Sequence, residues 1–237
     1  LAAAIHFELE LFRESVHLLQ QAINSFPGEK DFWRQLAYVY REIGESENAI
    51  ASLNLAYHSG LLNADDILLL SRLHLSQENS YKAAELVQNG LKNGIVPTNK
   101  NSISLLARSW RQARELEKAA SSYATLASLE KNGEAYYQQA QVYLEMREWK
   151  LATTALENAL DKGLDQDKGR AYLLLGVAQY ELNQLDSAKR SLKFASNNEE
   201  VKKQAQQWLQ QVKSSQDEQN ILCELQPGSN CSVFVSD

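Results

Sequence analysis

The sequence predicts an all-α fold, a solenoid of paired helices, and three observations carry that expectation. The first is periodicity. A small residue followed by apolar or small residues four and seven positions later recurs at Ser15, Ala49, Ala83, Ala119, Ala152 and Ala188, so successive anchors lie 34, 34, 36, 33 and 36 residues apart. A fixed period of this size marks stacked supersecondary units, none of which can bury its apolar side alone. The second is composition. Only three prolines and ten glycines occur among 237 residues, and the abundant alanine, leucine, glutamine and glutamate lose little on entering a helix. The third is punctuation. Turn-forming residues gather in FPGEKD, HSGLLNADD, NGIVPTNK, KNGE and KGLDQDKG, where the helices of adjacent units would meet.

The units follow in order at about 1–28, 29–62, 63–97, 98–131, 132–165 and 166–198. The first opens on LAAAIHFELELF, which reads as mid-helix, so the chain is expected to be a fragment or a processed product. The second carries the pattern most fully, as Trp33, Leu36, Ala37, Tyr40, Ala49, Leu53 and Ala56. Small residues at Ala37, Ser71, Ala107, Ala140 and Gly176 suit close crossing of two helices, and Trp33, Tyr40, Trp110 and Tyr143 suit the gaps between them. His74 occupies the aromatic slot of the third unit and reads as packing. Asn63 or Ala64, with Asp65 and Asp66, and then Thr98, are the expected starts of the third and fourth units. Residues 199–213 form an amphipathic helix with Val201, Ala205, Trp208, Leu209 and Val212 on one stripe, the polar-backed cap that a solenoid needs. A polar linker is expected over 214–220. A β-hairpin about Pro227 is expected after it, with Cys223 and Cys231 placed to form a disulfide. Such a bond would indicate an oxidising compartment, and two unrelated thiols are the alternative.

In these residues and this period the sequence resembles the tetratricopeptide repeat family over residues 1–198. The resemblance implies a right-handed superhelix whose first helix in each unit lines a concave surface, and a role in protein–protein interaction. The groove positions it implies lie one, five and eight residues after the Trp33 slot. They are Arg34, Tyr38 and Arg41 in the second unit, Leu68, Arg72 and Leu75 in the third, and Ser104, Arg108 and Arg111 in the fourth. The fifth contributes Tyr137, Gln141 and Leu144, and the sixth Leu173, Val177 and Tyr180. Five arginines thus share one expected surface in a chain of net charge −6. A guanidinium forks onto carboxylates and stacks on aromatic rings, so the expected partner is a protein or peptide bearing acidic groups. The family's carboxylate clamp for chaperone C-termini uses lysine and asparagine. Arg34, Tyr38 and Leu69 stand at those positions, and a chaperone-adaptor role is not expected.

No catalytic constellation stands out. The four histidines, His6, His17, His58 and His74, include no metal-ligand pair, and no phosphate-binding loop or nucleophile motif is present. No enzyme activity, cofactor or metal is expected from these residues. The acidic balance argues against nucleic acid as partner, and no apolar run is long enough to span a membrane. In wording, DFWRQLAYVYREIGE, LLARSWRQARE and GRAYLLLGVAQYEL resemble the repeat proteins encoded beside TonB–ExbB–ExbD systems in some gammaproteobacteria. That resemblance implies a periplasmic scaffold assisting iron uptake, with the periplasmic domains of TonB and ExbD as candidate partners. The residues themselves leave the cytoplasm open. Two other classes stay in view: a structural module of the cell envelope that self-associates or uses its convex face, and an enzyme whose catalytic domain lies outside this chain.

Overall fold

The computed structural model describes residues 11–225, of which 223–225 in backbone only. Twelve α-helices and no strand occur among the described residues. They are α1 (Phe12–Ser25), α2 (Lys30–Glu42), α3 (Ser46–His58), α4 (Ala64–Ser76), α5 (Ser80–Lys92) and α6 (Lys100–Gln112). Then come α7 (Leu116–Leu129), α8 (Glu134–Glu145), α9 (Trp149–Lys162), α10 (Lys168–Glu181), α11 (Leu185–Ser196) and α12 (Lys202–Leu225). The chain divides into two compact units, residues 1–122 and 123–237.

In the first unit α2 pairs with α3 and α4 with α5, and each pair also contacts the helix that follows it. The second unit repeats the plan with α8 on α9, α10 on α11, and α12 closing over α10 and α11. The anchors Ser15, Ala49, Ala83, Ala119, Ala152 and Ala188 are all fully buried, as are the crossing residues Ala37, Ser71, Ala107 and Ala140. Small side chains there let two helix backbones approach. A Cβ added to Gly176 would lie 2.5 Å from Leu192 Cγ, and Ser71 spends its hydroxyl across the crossing on the carbonyl of Ala83 at 2.9 Å.

The tight turn inside each pair is built the same way five times. Gly44, Glu78, Arg114, Arg147 and Asn183 all adopt the left-handed backbone conformation, with φ between 59° and 81°. The next N–H then donates five residues back, to the carbonyls of Tyr40, His74, Trp110, Tyr143 and Gln179, at 2.8–3.0 Å. This closes the helix ends and reverses the chain. Loops between pairs use Gly60, Gly94 and Gly163, all of them at positive φ. Asn63 caps α4 in a reciprocal box with Asp66, as its position predicts. The cap of α6 is Asn99 rather than Thr98, because Asn99 closes the same kind of box with Ser102.

The C-terminal part departs from expectation. The helix expected over 199–213 runs on to Leu225, making it 24 residues long, so the polar linker over 214–220 is helical. The first strand of the hairpin is helical as well, to Leu225. Alanine-poor but glutamine-rich, SSQDEQN has no glycine or proline to stop a helix, and its amides find partners on the repeat below. The turn at Pro227 and Cys231 lie outside the described residues, and with them the proposed disulfide.

His74 fills its aromatic slot, buried, with Nε2 unpartnered. Burial holds its pKa below the ordinary 6.5, and Lys82 adds to the effect. The unfolded chain therefore binds a proton at a pH where the folded one does not, and stability rises with pH across that range. Stability is expected to fall as pH drops below about 6.5. His74→Phe, urea-unfolded from pH 7.5 to 5, should flatten that acid limb. An unchanged slope would show that the loss comes from other groups.

Candidate functional site: the face of α2, α4 and α6

The repeat register sets the candidate site. By repeat register, residues at equivalent positions of α2, α4 and α6 are expected to share one face of the first unit. Tyr38, Arg72 and Arg108 form one such row, and all three are exposed. Arg41, Leu75 and Arg111 form the next; Arg41 is exposed and Arg111 half-buried. Arg41 Cζ sits 5.8 Å from the centre of the Tyr38 ring, within range of a cation–π contact. Arg72 and Arg108 make no ion pair among the described residues.

Arg34 behaves differently from its neighbours. Its Nε and Nη2 donate to Asp66 Oδ1 and Oδ2 at 2.7 and 3.0 Å, joining α2 to the start of α4. Asp66 is buried and also accepts the Asn63 backbone N–H. The carboxylate that Arg34 was expected to meet on a partner is therefore supplied by the next repeat of this chain.

In the second unit the expected groove positions are spent internally. Tyr137 is 3% exposed and belongs to a core with Ala140, Leu156 and Leu175, so it packs rather than presents its ring. Burial raises its pKa, and the hydrogen bond from Gln141 acts the other way. Gln141 is thus also engaged within the chain. Tyr180 is covered by α12: its ring meets Trp208 edge-on at 5.4 Å, and its hydroxyl bonds Ser215 at 3.0 Å. Arg170 pairs with Glu200 and Asp167.

Sequence reasoning missed an open cleft of about 380 Å³ among α1, α2 and α3, lined by Ile23, Trp33, Leu36, Tyr40 and Leu55. Trp33 reads as a core residue by its repeat slot, yet it is half-exposed, and its indole N–H donates to the Pro27 carbonyl at 3.0 Å. Among the described residues no group of histidine, cysteine and carboxylate could hold a metal ion. No described helix is long and apolar enough to cross a membrane.

This geometry defines an all-α protein of stacked helical pairs. The tetratricopeptide repeat model matches residues 1–61 and 137–189. Solved structures show the same fold. MamA is 20% identical with a TM-score of 0.60, over 74% of this chain and 94% of its own. YrrB, described as a TPR protein with an unusual peptide-binding site, is 15% identical with a TM-score of 0.62, over 80% and 96%. The C-terminal part of a TPR repeat-containing protein from Cytophaga hutchinsonii is 11% identical with a TM-score of 0.61, over 98% and 97%. No match was found among curated proteins. The matched segments resemble the tetratricopeptide repeat family, and the solved structures share the fold.

Proposed function

We propose that this chain is a non-catalytic scaffold that binds an acidic segment of a partner protein on the face of α2, α4 and α6. One observation carries the reading: Arg72 and Arg108 are exposed, in repeat register and without an ion pair among the described residues, while Arg34 and Arg170 are satisfied inside the chain. Cations held in a row with free forks suit bidentate contact with carboxylates. Tyr38 adds an aromatic anchor of the kind that carries interface energy. The peptide-binding site described for YrrB, a protein of the same fold, is consistent with this use.

The narrower reading gives the partner as the periplasmic domain of TonB or ExbD, in the periplasm, in support of iron uptake. It rests on the resemblance in sequence wording.

Calorimetric titration with the two domains at low and moderate salt tests both levels. Binding that weakens at least tenfold in Arg72→Glu/Arg108→Glu, and weakens with salt, is the expected result. Binding that is equally tight in that variant would remove the arginine face from the mechanism. No binding by either domain would sink the narrower reading.

A further inference from the structure

The far end of α12 has a free face that matches the arginine face in charge. α12 runs alongside α10: Glu200, just before it, pairs with Arg170 near the start of α10, and Ser215 meets Tyr180 near its end. The last contacts on the repeat are amide bonds, Gln216 to Asp186 at 2.9 Å and Gln219 to Asn183 at 2.8 Å. From Gln219 to Leu225 the helix continues for six residues, about 9 Å of helix at 1.5 Å per residue. On the side turned from these contacts stand Asp217, Glu218, Ile221 and Leu222, within about 140° of the helix circumference at 100° per residue. All four are exposed, Ile221 at 55% and Leu222 at 61%, and neither carboxylate has an ion pair among the described residues. Residues 214–225 contain three acidic residues and no basic one.

A helix face that joins carboxylates to large apolar side chains suits docking on a basic and apolar partner surface. We propose that this end of α12 docks on the α2–α4–α6 face of a second copy of this chain. The inference rests on the reading of that face as a receptor for acidic groups. Asp217 and Glu218 supply the charges that Arg72 and Arg108 lack, and Ile221 and Leu222 supply apolar area against Tyr38 and Leu75. The two surfaces differ, so the contact is heterologous: each copy offers its helix to one neighbour and its arginine face to another, and copies add until a ring closes.

The test is sedimentation velocity of the 237-residue chain, in reductant, from low micromolar to several hundred micromolar. Expected is concentration-dependent association that weakens with salt. Asp217→Arg/Glu218→Arg and Arg72→Glu/Arg108→Glu should each associate at least tenfold more weakly. Their equimolar mixture should associate again, because each variant's altered surface then meets an opposite charge. A wild-type chain that stays monomeric throughout, or reversed variants that associate as the wild type does, would overturn the proposal. A labelled helical peptide carrying four glutamates, titrated into the α12 variant, separates the two readings. If it binds while the wild type stays monomeric, the self-docking fails and the arginine face stands as a receptor; if it does not bind either, both fall.

Discussion

Gly133→Ala is expected to destabilise the second unit by about 3 kcal/mol, the upper end of the usual cost of overpacking. A Cβ at Gly133 would lie 2.0 Å from the carbonyl oxygen of Ala159 and 2.7 Å from its carbonyl carbon. Both are backbone atoms, so no rotamer change relieves the clash. The start of α8 is held against the end of α9 by the Gly133 N–H, which donates to Gly163 O at 2.8 Å. Relief requires the two helix ends to separate, which would break that bond and open the core around Ala135 and Ala159. The residue has a φ of −86°, so the backbone itself asks nothing special of glycine here; the cost is steric. Gly28→Ala is the matched control, because a Cβ there meets nothing within 4 Å. Urea unfolding with amide exchange should show faster opening of α8 and α9 in Gly133→Ala, and a change within about 0.5 kcal/mol in the control. Equal stability of the two variants would show that the approach at Gly133 is looser than described.

Much of this fold is legible in the sequence because each repeat states it again. The buried anchors and the small crossing residues stand where the period puts them, from Ala49 to Ala188. The left-handed turns were not legible. Gly44 and Asn183 hint at one, but Glu78, Arg114 and Arg147 carry side chains that ordinarily avoid that conformation. The signal is positional: each follows its aromatic slot by four residues, and the helix end with its five-residue back-bond imposes the conformation. Gly133 is similar. KNGE reads as a break between helices, but that glycine is needed for a close approach to Ala159, a contact that depends on tertiary packing.

The tail was misread for a physical reason. Local composition suggests a linker at SSQDEQN, yet a helix already nucleated at Lys202 extends cheaply, one hydrogen bond per residue. Ser215, Gln216 and Gln219 then find acceptors and donors on α10, α11 and the turn between them. The candidate site was half legible. Register alone places Tyr38, Arg72 and Arg108 in one row. It does not show that Tyr137 would be drawn into the core, or that the partner of Arg34 lies 32 residues on in the same chain.

Arg34→Ala is expected to lower the stability of the first unit by about 1–3 kcal/mol, the cost of leaving a buried polar group unsatisfied. Asp66 is 3% exposed and loses both hydrogen bonds from the Arg34 guanidinium, while its tie to the Asn63 N–H remains. A fully buried pair broken in this way costs more, but the Arg34 side chain is 40% exposed, and water screens part of the loss. Asp66→Asn should recover much of it in the Arg34→Ala background, since the charge that lacks a partner is then gone. The double-mutant cycle should therefore show a coupling of about 1 kcal/mol or more. Arg72→Ala and Arg108→Ala make the contrast. Neither side chain holds an ion pair among the described residues, so each should change stability by less than about 0.5 kcal/mol and act on partner affinity instead. Thermal unfolding of the three single variants, read beside their binding, divides one stripe of arginines into a brace between repeats and a surface for contact. If Arg72→Ala or Arg108→Ala destabilised the chain as much as Arg34→Ala, that division would be wrong, and the row would be another set of braces.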